Sequence, residues 1–225
     1  MIPYIYRILL KKDEFYREVF KLDTRTHKML AYKIHDHFAK NDIWLSKIAL
    51  AWGSMKPDFI EGDISHFKDE TMENFYKQFD ELKEMDPDQN PYKFAVKLGE
   101  LFHYIADYFC RAHNDPDLDP GTLWEKTTHI YHEWKLNQVA QNLHPDFFKK
   151  EIEEKFVYRN DLETFIEKEH QEFVDRKYSF KEDIASAFRI SVLMTNKLIY
   201  EMQLENNYAF THVFNLRHRL LYENA

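Results

Sequence analysis

Apolar residues recur along this chain at intervals of three and four, the spacing that collects them on one side of an α-helix. His27, Leu30, Ala31, Ile34 and Phe38 share such a face, and Asp23, Thr24 and Thr26 stand ahead of them as capping residues. A second, short helix follows through Ile43, Leu45, Ile48 and Leu50. The run Trp52-Gly53-Ser54-Met55-Lys56-Pro57-Asp58 then predicts an irregular loop, because Gly and Pro interrupt periodic segments. Residues 68–85 read as an exposed amphipathic helix that stops at Asp86-Pro87-Asp88-Gln89-Asn90-Pro91. Pro91 suits the first position of the next helix, where a missing N–H costs nothing. There Leu98, Leu101, Phe102, Ile105 and Phe109 predict a buried stripe, ended by Asn114-Asp115-Pro116-Asp117-Leu118-Asp119-Pro120-Gly121. Further helices are predicted over about 122–141, 145–156, 160–176 and 180–203. No run alternates as a strand would, so the fold class is all-α, a multi-helix bundle of roughly seven to ten helices.

Composition narrows this picture. The 225 residues include only 4 Gly and 7 Pro, too few for a turn-rich sandwich or barrel, and aromatics at 16% exclude a disordered chain. Neither a low-complexity linker nor an internal repeat divides the chain, which predicts one domain over 1–225 with C-terminal helices over 145–225. Thirty-one Lys+Arg against 39 Asp+Glu give a formal charge of −8, a surface that repels polyphosphate and argues against a stable nucleic-acid partner. Cys110 is the sole cysteine, which excludes an internal disulfide and a zinc cluster built on several thiolates. No apolar run approaches the roughly 18 residues that span a bilayer. The start, Met1-Ile2-Pro3-Tyr4-Ile5-Tyr6-Arg7, lacks the charge and cleavage pattern of a secretory signal, so a cytoplasmic location is expected.

The chemistry lies in histidine spacing. His103 and Asp107 are four apart and project from one helix face, and His129 and Glu133 repeat that spacing on the next helix. His113 follows Asp107 by six; a straight helix would aim it about 120° away, so it reaches the same site only from a second metal position or a bent helix end. His27, Asp58 and His66 lie upstream. Imidazole and carboxylate suit zinc, and i, i+4 pairs on facing helices converge in a bundle core. One carboxylate can also bridge two ions, and adjacent ions serve phosphoester hydrolysis by acidifying water and stabilising the leaving oxygen. The alternative for these residues is a buried hydrogen-bonded network without metal; for Asp58 it is a turn carboxylate after Pro57, and for His27 a core histidine beneath Ile34.

The run Leu98-Gly99-Glu100-Leu101-Phe102-His103-Tyr104-Ile105-Ala106-Asp107, then His113, then His129-Ile130-Tyr131-His132-Glu133, resembles the core of the zinc-dependent phospholipase C family. That family shares its fold with the fungal single-strand-specific zinc nucleases. Thr26-His27, Lys56-Pro57-Asp58 and His66 occur in the family's order, so the resemblance covers about residues 24–135. It implies that Asp58, His66, His103 and Asp107 hold one zinc and that His113, His129 and Glu133 hold a second. His27, with Asp107 as bridge, would belong to a third. In secreted members an amino-terminal tryptophan completes the third site, whereas here no tryptophan precedes Trp44, so two tightly held ions are expected and the third stays open. The implied activity is phosphodiester cleavage by zinc-bound hydroxide, with Asp58 as proton acceptor and a phosphodiester or phospholipid as substrate, met by transient contact with a membrane surface.

Other residues carry ordinary readings. His132 is placed in a supporting shell or at the surface, and His35 and His37 beside Asp36 in solvent. His144, His170, His212 and His218 lack a carboxylate at ligand spacing, and Asp115 to Asp119 lacks the distal glutamate of an EF-hand. Tyr104, Tyr108, Phe109 and Trp134 read as core before cleft, and Cys110 as a small core residue. Two rivals stand beside the phospholipase reading: a nuclease or other phosphodiesterase on the same scaffold, and a non-catalytic, metal-stabilised helical interaction protein.

Overall fold

The computed structural model describes residues 24–39, 45–60, 67–114, 123–144, 147–148, 161–176 and 179–206, with backbone alone at 60, 123–130, 133 and 203–206. Helix α1 covers 24–39, α2 Lys47–Ile60, α3 Lys68–Lys83 and α4 Pro91–Tyr108. A 3₁₀ turn over Arg111–His113 follows, then α5 Leu123–Asn142, α6 Leu162–Asp175 and α7 Phe180–Asn206. The described residues contain no strand, and the fold is all-α as the periodicity predicts. Of the helix expected over 145–156, residues 147–148 are helical and the rest, like residues 115–121, lies outside the described residues.

Helix α4 is the central element, and local chemistry fixes where it starts. The Asn90 side chain accepts the Lys93 N–H at 3.1 Å, and Pro91 occupies the first turn. Every residue from Leu98 to Tyr108 is buried, not the apolar stripe alone. The cause is that α2, α3 and α7 all pack on α4, with α2 making the most extensive contact. Helix α3 contributes Thr71, Phe75, Phe79 and Leu82 to the core, and the Thr71 and Tyr108 hydroxyls meet at 2.9 Å. Its opposite face stays in solvent, so the amphipathic reading of this segment holds.

The loop expected at 52–58 is instead helix: α2 continues through both Gly53 and Pro57. The glycine serves packing, not a turn. A Cβ on Gly53 would strike the Val96 backbone carbonyl, and one on Gly99 would strike the Leu50 carbonyl and crowd Gly53 Cα and Ser54 N at 2.9 Å. Two glycines face each other across the α2–α4 contact, and the backbones come this close because neither has a side chain. Pro57 removes one helical N–H, and the extensive burial of α2 against α4 outweighs that loss.

The C-terminal half closes the bundle. Helix α7 packs on α3, α4, α5 and α6, and residues 183–195 along it are buried. Arg189 on α7 meets Glu169 on α6 at 2.6 Å with both side chains largely enclosed. Phe148 stacks edge-on against Phe188 with centroids 4.8 Å apart. Among the described residues, no helix is long and apolar enough to cross a membrane.

Candidate metal centre

Three elements deliver polar side chains to one buried point beside the Gly53–Gly99 contact. Helix α1 supplies His27, α2 supplies Asp58, and α4 supplies His103 and Asp107, all at most 6% exposed. The close backbone approach is what brings them together. Because α2 lies against α4, the Ser54 carbonyl reaches the His103 ring, and His103 Nδ1–H donates to it at 3.1 Å. The Ser54 hydroxyl donates to the His27 carbonyl at 3.3 Å and the Ala51 carbonyl at 3.0 Å, tying α1 to the same corner.

With its proton committed at Nδ1, His103 presents Nε2 to two carboxylates: Asp107 Oδ2 at 3.1 Å and Asp58 Oδ1 at 3.8 Å. The other Asp107 oxygen, Oδ1, faces His27 Nε2 at 3.4 Å and His113 Nε2 at 3.7 Å. One carboxylate therefore meets three imidazoles, and the His27 and His103 rings lie 4.3 Å apart. His113 arrives through the bent helix end: α4 stops at Tyr108 and the Arg111–His113 turn swings the ring back. Asn114 fastens that turn, donating to the Tyr108 carbonyl at 2.9 Å and the Cys110 carbonyl at 2.8 Å. Its amide oxygen in turn accepts from His170 Nε2–H on α6 at 2.7 Å. Burial holds the His170 pKa down at about 4, so the ring stays neutral at ordinary pH.

The structure thus places five of the eight singled-out residues, His27, Asp58, His103, Asp107 and His113, around one point. His27 shares the cluster of Asp58 and His103, whose donor atoms all lie within 4.8 Å of one another, and does not sit in a pocket apart. His66 and the side chains of His129 and Glu133 lie outside the described residues; the backbone of the last two is in α5. A zinc ion fits the described donors: imidazole nitrogens and carboxylate oxygens, buried, convergent, and anionic enough to balance its charge. His103 also has the usual arrangement of a ligand histidine, its far ring nitrogen held by a backbone carbonyl.

Sequence reasoning missed a second convergence. His132 is 6% exposed, not at the surface, and its ring lies 4.8 Å from that of Phe180. Its donor atom, the Cys110 thiol and an Asp183 carboxylate oxygen lie within 4.8 Å of one another. Asp183 comes from the first turn of α7; burial pushes its carboxyl up to about 7, while Oδ2 accepts the Arg111 N–H at 3.0 Å. Cys110 does sit in the core, as its type suggests.

A family model described as zinc dependent phospholipase C matches residues 26–180. The chain belongs to the zinc-dependent phospholipase C family. That match runs from α1 into the start of α7, well past the stretch of sequence resemblance at 24–135, and takes in α6 as a family element. All eight residues singled out in the sequence fall inside it. Neither a curated protein nor a solved structure matches the chain. For a zinc-dependent phospholipase C family member the His27–Asp58–His103 group is a candidate metal-binding group.

Proposed function

We propose that this family member is a zinc-dependent phosphoester hydrolase that cleaves a phosphodiester, with phospholipid as the substrate class. The observation that carries this reading is the Asp107 carboxylate, buried, with one oxygen facing His103 and the other facing His27 and His113. A carboxylate so placed can share its two oxygens between two ions, which is what a clamp on both the attacking and leaving oxygens requires. In this reading His27, Asp58, His103, Asp107 and His113 are ligands, and His66, His129 and Glu133 complete the set by family resemblance.

Bound zinc supplies positive charge that acidifies a water and neutralises the phosphoryl oxygens. The chain's own residues do the rest. Ser54, through its carbonyl, keeps the His103 proton on Nδ1 and makes Nε2 the ligating nitrogen. Asp58 accepts the proton of the attacking water, its carboxylate enclosed beside His103. The packed corner of α1, α2 and α4 holds these groups without reorganisation, which makes their charges effective.

The test is hydrolysis of phosphatidylcholine vesicles and of a soluble phosphodiester, bis-p-nitrophenyl phosphate. Turnover in the zinc-loaded protein, lost on chelation and regained with zinc, is the expected result. Saturation with zinc and no cleavage of either substrate would replace this reading with that of a metal-stabilised, non-catalytic protein.

A further inference from the structure

We propose that Cys110, His132 and Asp183 form a further zinc site, with ligands of its own but adjacent to the His27–Asp58–His103–Asp107–His113 cluster, and independent of whether that cluster hydrolyses phosphodiesters. The three donors come from three elements that meet in the core: the turn after α4, the middle of α5, and the first turn of α7. All three residues are buried, at 5%, 6% and 2% exposure. Asp183 Oδ2 is occupied by the Arg111 N–H, but Oδ1 is buried and accepts no hydrogen bond from the described residues. A buried carboxylate oxygen in that condition is destabilising, and a cation is the partner that relieves it.

The donor set suits zinc. A thiolate and a carboxylate together carry the two negative charges that balance Zn²⁺, and neutral imidazole adds a third ligand without charge. At Zn–S, Zn–N and Zn–O lengths of about 2.0–2.3 Å, tetrahedral donors lie roughly 3–4 Å apart, and the three donor atoms here all lie within 4.8 Å of one another. Cys110 and Asp183 also line a cavity of about 20 Å³ with His27, Asp107 and His113, space for about one water on the side that faces the Asp107 cluster. On binding, the Cys110 thiol gives its proton to solvent, so affinity rises with pH. Burial of the sulfur argues against the other use of a Cys–His–Asp set, attack on a bulky substrate, which needs an open approach.

The test is reconstitution of the full chain with cobalt(II), read by absorption. Cobalt bound to a thiolate gives an intense near-ultraviolet charge-transfer band that nitrogen and oxygen ligands do not give. The chain has one cysteine, so any such band reports on Cys110. The wild type is expected to develop the band as cobalt is added and to lose it when zinc displaces the cobalt. His132→Ala and Asp183→Asn should each weaken the band's apparent affinity by about tenfold or more. Cobalt saturation of the wild type without the band would overturn the proposal, as would a band unchanged in both variants. Asp58→Asn, which touches the other cluster alone, should leave the band in place.

Discussion

Replacing Gly99 with alanine isolates the step from backbone packing to site assembly. Considered as a helix residue, the substitution should stabilise α4, since alanine exceeds glycine by about 1 kcal/mol in a helix interior. Its position reverses the sign. The new methyl would strike the Leu50 carbonyl and crowd Gly53 Cα and Ser54 N, all backbone atoms of α2 that cannot rotate aside. Relief requires α2 to move away along its extensive interface with α4. Overpacking of this kind costs about 1–3 kcal/mol, and a rigid backbone neighbour puts it at the upper end. Net of propensity, the expected loss is about 2 kcal/mol, which for a chain of this size lowers the melting temperature by roughly 4–8 °C. Because Ser54 and Asp58 ride on α2, the same displacement lengthens the Ser54–His103 hydrogen bond and withdraws Asp58, so zinc affinity falls as well. Urea unfolding of the metal-free protein measures the first effect and a chelator-competition titration the second. A Gly99→Ala protein as stable as the wild type, with unchanged zinc affinity, would refute the claim that the glycine pair sets the site.

Other consequences are open to direct measurement. His170 has its pKa depressed to about 4 by burial, below the 6.5 of an unfolded histidine, so its neutral form is the one the fold favours. Stability is therefore expected to fall as pH drops from about 6.5 toward 4, and this dependence should flatten in His170→Gln, as urea midpoints across that range would reveal. Arg189→Leu strands the Glu169 carboxylate between α6 and α7 and should cost about 3 kcal/mol, visible as a lower urea midpoint at unchanged slope.

What the sequence makes legible and what it hides divide along physical lines. Helices α1 and α4 are readable because their apolar periods are strong, and Pro91 marks where α4 starts. His27, His103 and Asp107 are readable with them, since a helix face fixes relative direction. Gly53 and Pro57 mislead because each is an ordinary loop residue, and the reason they lie in a helix is on α4, some forty residues away. The approach of His113 depends on where α4 stops, and periodicity locates helix ends poorly. Cys110, His132 and Asp183 form no spacing pattern at all; their meeting is a consequence of how α7 packs on α5 and α4. A helix such as α4, buried on every side, also carries less contrast than one with a wet face, so its stripe understates its enclosure.

Asp107 is the proposed shared anionic centre of the candidate site, and metal content of the Asp107→Asn protein tests that role most directly. An amide keeps the shape and removes the charge, offering one weak neutral oxygen where the carboxylate offers two. Elemental analysis after zinc loading and gel filtration is the measurement, with circular dichroism showing that the variant stays helical. The expected result is the loss of more than one zinc equivalent per chain relative to the wild type. A folded Asp107→Asn protein with its full zinc complement would contradict that role for Asp107.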